Sequence, residues 1–135
     1  MGKELLTLTI SRCCCFDGST ETKNSLKEEV GGYENVYVLR DLEVGNVEAL
    51  KDLNLVEPSA EKDGDVLDAL VVALDVLRKG TAAKTKCSKR VFLVTGGECL
   101  ADDDEQAEEI TGQFTAMDTK LDVVYVDCKI VDLFV

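Results

Sequence analysis

The sequence predicts an α/β layered fold built on a mainly parallel sheet with an antiparallel edge strand. Three observations predict it. Short β-prone runs alternate with helical runs along the chain, the order that gives layered α/β domains. The run "KRVFLVTGG" (89–97) is continuously apolar before its Gly pair, as in a strand buried on both faces of a parallel sheet. No helix follows the first strand directly; a loop and a second strand follow instead, which predicts an antiparallel hairpin at the sheet edge.

The elements follow in order. "ELLTLTI" (4–10) alternates apolar residues with Thr and reads as a strand. Residues 17–32 are polar and end in Gly31 and Gly32, so they read as a loop. "NVYVLRDL" (35–42) is the second strand, and "NVEALKDLN" (46–54) a short helix with Asn46 as its N-cap. A connector over 56–64 holds the only proline, Pro58. Residues 65–79 form an apolar helix that Gly80 stops, followed by a basic loop to Ser88. After the 89–97 strand, residues 102–120 form a helix with acids at its start, where the macrodipole favours them. Ile110, Phe114, Met117 and Leu121 give it a buried stripe. "LDVVYVDCKI" (121–130) is the last strand.

The 135 residues suit one domain with one core. The chain has no His, which removes the commonest general base and the commonest zinc ligand. A net charge of −12 argues against this segment gripping nucleic acid by itself, because phosphate binding needs a basic footprint. No apolar run approaches the ~20 residues of a membrane span, and the start "MGKELLTLTI" has no signal-peptide layout, so an intracellular protein is expected. The six cysteines form no CxxC pair, and the run Cys13, Cys14, Cys15 reads as buried or edge-strand thiols. A cysteine nucleophile would need a basic partner, which so acidic a chain without His does not offer.

Phosphate-binding GxxxxGK[ST] and GxGxxG motifs are absent, as are HExxH and GxSxG. In "FDGSTE", Asp17 and Ser19 resemble the start of the DxSxS loop with which von Willebrand factor A domains bind Mg²⁺ through hard oxygen ligands. Glu21 stands at its third position, and Asp and Ser also cap ordinary turns. In "VTGGE" (94–98), where a metal-binding A domain carries "TDG", the chain has Thr95, Gly96 and Gly97, as in a tight strand-to-helix turn. No cofactor and no metal are expected; Asp17 and Ser19 are the weak metal candidates. A metal-dependent A-type domain that binds its ligand through these two residues is the alternative reading.

At 100° per residue, Val66, Leu67, Leu70, Ala73, Leu74 and Leu77 of the 65–79 helix fall on one arc, the expected core face. Asp65, Asp68, Asp75 and Lys79 fall on the opposite arc, which reads as a solvated face. Val72 sits in the middle of that face and Val71 at its border.

Several stretches taken together resemble a known family: "GGYENVYVLRDLEVGNVEALKDL", "GDVLDALVVALDVL", "KRVFLVTGG" and "LDVVYVDCKI". In this order and spacing they are similar to the N-terminal von Willebrand A-like domain of the larger subunit of Ku, the heterodimer that encircles broken DNA ends. The resemblance implies a Rossmann-like, three-layer von Willebrand A-type fold over residues 1–135, as part of a longer polypeptide. In the family a further strand and helix precede the strand matched by 4–10, and that missing strand is central. The implied function is a non-catalytic protein-interaction domain in double-strand break repair by non-homologous end joining, with telomere maintenance a further implied role. It implies a nuclear protein whose partners are the smaller Ku subunit and end-joining factors, with DNA held by other domains and no membrane involved. A groove for short basic, hydrophobic motifs carries over to Tyr33, Val71 and Leu74 as apolar contacts. Asp68 or Asp75 would attract the peptide's basic residues.

Overall fold

The computed structural model describes residues 19–57, 64–83, 86–95 and 103–125, and the backbone of 11–16. The elements in order are β1 (Ser11–Phe16), α1 (Ser25–Glu29), β2 (Tyr37–Val44), α2 (Val47–Asn54), α3 (Val66–Thr81), β3 (Lys89–Thr95), α4 (Asp104–Ala116) and β4 (Thr119–Tyr125). The expected strand over 4–10 lies outside the described residues, as do Gly96, Gly97 and the end of the 121–130 strand.

Both expected kinds of strand pairing are present. β1 and β2 run antiparallel, from Ser11 opposite Val44 to Phe16 opposite Tyr37, with register shifts on either side of Cys14. β3 and β4 run parallel in unbroken register from Lys89–Thr119 to Thr95–Tyr125. Among the described residues these are two separate two-stranded ladders. β3 is not buried on both faces. Its exposure alternates, and Phe92 and Val94 are 59% and 64% exposed on the face turned away from the helices. The apolar run forms the expected strand, but among the described residues helices cover only one of its faces.

α3 is the hub. It packs on β1 and β2 on one side and on α4 on the other. Two apolar clusters result. Leu67, Leu70 and Leu74 meet Ile110 and Phe114 of α4. Val72 and Val76 meet Val36 and Val38 at the start of β2. Each large side chain so buried contributes about 1.5–3 kcal/mol. The expected solvated face is therefore corrected: Val72 is 1% exposed and Asp75 4%. A helix clasped on two sides has two buried stripes, and a single-arc reading finds only the more apolar one.

The helix ends obey capping chemistry. Asn46 Oδ1 accepts from Ala49 N–H (2.9 Å), as expected. Asp65 is the N-cap of α3, accepting from Leu67 and Asp68 N–H, and Asp103 caps α4 through Gln106 N–H. Gly80 does not stop α3, which runs to Thr81. Its lack of a side chain serves packing instead, because a Cβ there would stand 2.7 Å from Leu42 Cδ2. α4 ends at Ala116, so Leu121 belongs to β4 and not to the helix stripe, while Met117 packs on the α3–α4 cluster as expected. The expected 17–32 loop contains α1, a single short helix whose main local signal is its cap, Asn24.

Candidate protein-interaction surface

The structure distributes the five expected groove residues over both sides of α3. Tyr33 follows Gly31 and Gly32, both at φ +76°, and itself takes φ +53°. This left-handed run turns the chain sharply into β2. Buried Asn24 fixes the turn: its Nδ2 donates to Tyr33 O (3.0 Å) and Val36 O (2.9 Å), while its Oδ1 accepts from Lys27 N–H (2.8 Å). The half-buried Tyr33 ring packs, with Leu26 of α1, on the cluster of Val36, Val38, Val72 and Val76. Val71 and Leu74 belong to the other cluster, toward α4; Val71 is half-buried and Leu74 2% exposed.

The acids differ in role. Asp68 is half-buried in the first turn of α3. Asp75 is enclosed. Ser25 Oγ donates to its Oδ2 (2.9 Å), Lys79 Nζ lies 2.7 Å from the same oxygen, and Arg78 pairs with Oδ1. Burial pushes this carboxyl up, and the hydrogen bonds from Lys79, Ser25 and Arg78 outweigh that, leaving it below the usual carboxylate range. Lys79 also reaches Ser25 Oγ (2.8 Å) and Glu29 (2.7 Å), and its acidic partners hold its pKa above the ordinary value. The network clamps α1 onto α3.

Tyr33 thus packs on the cluster that holds Val72 and Val76, and not on the one that holds Val71 and Leu74. No local pattern marks Val72 and Val76, because Val72 shares its arc with Asp68, Asp75 and Lys79. Of the metal candidates, Asp17 lies outside the described residues. Ser19 Oγ accepts from Glu21 N–H (3.2 Å), an ordinary turn contact.

Comparison with known proteins adds the lineage. The family model for the Ku70/Ku80 N-terminal alpha/beta domain matches residues 12–132. The chain is 39% identical over 110 residues to "X-ray repair cross-complementing protein 5" of Dictyostelium discoideum, covering 82% of this chain and 13% of that protein. It is 35% identical over 113 residues to "ATP-dependent DNA helicase 2 subunit KU80" of Arabidopsis thaliana, covering 79% of this chain and 16% of the relative. It is 36% identical over 105 residues to "ATP-dependent DNA helicase II subunit 2" of Neurospora crassa, with 77% and 14% covered. The chain therefore spans less than a fifth of these relatives. With most of its length matched, and with the α/β elements in place, the chain belongs to the family of Ku70/Ku80 N-terminal alpha/beta domains.

Proposed function

We propose that the chain acts as a non-catalytic protein-interaction domain of a Ku-type subunit in DNA double-strand break repair by non-homologous end joining. The names of its relatives, which speak of X-ray repair and of a DNA helicase subunit, support a place in DNA repair. The helicase label describes whole proteins of which this segment is a small part, and the sequence carries no phosphate-binding loop motif. In this reading the protein works in the nucleus, pairs with the smaller Ku subunit and leaves DNA contact to other domains. The net charge of −12 supports the last point. A role in telomere maintenance belongs to the same reading.

The observation that carries the interaction role is the half-buried Tyr33 ring, held at a glycine turn beside α3 by the buried Asn24. Tyr33, Asp68 and Val71 are the proposed contact residues for a short basic, hydrophobic peptide. Leu74 supports them from the core, and Asp75 holds Lys79 and α1 in position. The test is peptide binding by fluorescence anisotropy with a short synthetic peptide alternating Lys, Arg and Leu. Val71→Arg and Tyr33→Ala should each weaken binding while α3 amides stay protected from exchange. Unchanged binding by the folded variants would reject the site.

A further inference from the structure

Among the described residues β2 has a full ladder along one edge only. Its inner edge runs along β1. Its outer edge has one partner among the described residues, Lys23, in an isolated parallel bridge to Tyr37. There Lys23 N–H donates to Val36 O (3.1 Å) and Val38 N–H to Lys23 O (2.7 Å). The chain then leaves the ladder, because Asn24 caps α1. Beyond Val38, no strand lies along this edge among the described residues. Such an edge presents unpaired N–H and C=O groups that template another extended chain.

The edge forms one side of a groove of about 460 Å³. Val38, Leu39, Arg40 and Asp41 line it consecutively, with Glu28 and Asp52 beside them. Successive side chains of a strand point to opposite faces, so consecutive lining residues mark a groove that meets the strand edge-on. Its charges do not balance. Arg40 is paired with Glu43 and Asp52, and the Lys23 ammonium sits over the Tyr37 ring, 5.4 Å from its centre. Glu28 and Asp41 are exposed, and among the described residues neither has a cation partner. The charge left for a ligand is negative.

We propose that this groove docks an extended basic segment of another protein, which adds a strand to the outer edge of β2 and sets lysine or arginine against Glu28 and Asp41. The Lys23 bridge demonstrates that the edge accepts a parallel partner. Main-chain hydrogen bonds supply the affinity in this mode, and the acids select a basic sequence and speed encounter. The contact residues differ from those of the Tyr33 surface, so the two sites fail or survive independently.

The experiment titrates the 135-residue chain with a short synthetic peptide of alternating Lys and Val at low ionic strength, read by amide hydrogen exchange and anisotropy. A Glu–Val peptide and a Lys–Val peptide N-methylated at alternate residues serve as comparisons. The expected result is slowed exchange at the 39–43 amides with the Lys–Val peptide alone. Glu28→Lys combined with Asp41→Lys should weaken binding by about tenfold while α3 protection is retained. Equal protection of the 39–43 amides by the N-methylated peptide, or no protection of them by the Lys–Val peptide, would each overturn the proposal, whatever binds at the Tyr33 surface. Should the charge-reversed variant fail to fold, the N-methylated peptide on the unaltered chain still decides.

Discussion

The Ser25 hydroxyl donates to Asp75 Oδ2 across 2.9 Å, joining residues fifty positions apart. Through this bond a five-residue helix with no buried residue of its own is held on the central helix of the fold. The bond lies beside the Tyr33 surface, so the packing that stabilises α1 also shapes the proposed contact region.

Asp75 should make stability depend on acid pH. Its folded carboxyl lies below the ordinary value of 3.8. A depressed folded value means that its stabilisation is complete above the unfolded value and is lost as pH falls through the folded one. Asp75→Asn should cost about 1–3 kcal/mol at neutral pH, since it takes the buried charge away from the donors Ser25, Arg78 and Lys79. The difference between parent and variant should shrink below pH 4, as measured by urea denaturation at a series of pH values. A gap that stays constant to pH 2 would remove Asp75 as the titrating group.

Two glycines in helices should respond in opposite directions to alanine. Gly112 in α4 has open space where a Cβ would go, so Gly112→Ala should gain about 1 kcal/mol of helix propensity. A Cβ on Gly80 would meet Leu42 Cβ at 2.8 Å and Cδ2 at 2.7 Å. Leu42 Cβ is anchored to its backbone, so α3 and β2 must move apart, at a cost of about 1–3 kcal/mol that exceeds the propensity gain. Thermal melts of the two variants should therefore shift up for Gly112 and down for Gly80.

The same helix shows what the sequence could and could not reveal. The period of Leu67, Leu70 and Leu74 identified a core face, and the structure buries all three against α4. Val72 and Asp75 looked solvated because they share an arc with Asp68 and Lys79. Burial on that arc depends on residues far along the chain, Val36 and Ser25, that no local period contains. α1 was invisible for a related reason: it is too short and too polar to show a periodic stripe, and only Asn24 marks its start. Family resemblance brought Tyr33 into the candidate site. Which side of α3 it lies on is a tertiary fact, and the structure packs it on the cluster of Val36, Val38, Val72 and Val76.

Asn24→Ala should be costly for its size. The amide satisfies two carbonyls, of Tyr33 and Val36, and caps α1 through Lys27 N–H. Losing a cap costs about 1 kcal/mol, and the Tyr33 carbonyl left without its donor adds about 1–3 kcal/mol, while Val36 O keeps the Lys23 N–H. A total of about 2–4 kcal/mol by denaturant unfolding is expected, with loss of peptide binding at the Tyr33 surface as the turn relaxes. A cost under 0.5 kcal/mol would mean that water replaces the amide at this position.

Arg40→Ala should loosen α2 and spare the rest. α2 buries no residue, and Val47 and Leu50 are 66% and 56% exposed on it. Arg40, reaching from β2, pairs with Asp52 in this helix and with Glu43, which together hold its pKa above the ordinary value. The two apolar clusters, by contrast, contain no α2 residue. A helix held mainly by exposed ion pairs opens locally at low free energy while the core stays closed. Amide exchange over Val47–Asn54 should therefore accelerate in the variant, most visibly at low salt where the parent's ion pairs are strongest. Exchange over Leu67–Leu77 and the global unfolding midpoint should barely move. Equal acceleration of α3 would instead make Arg40 part of the cooperative core.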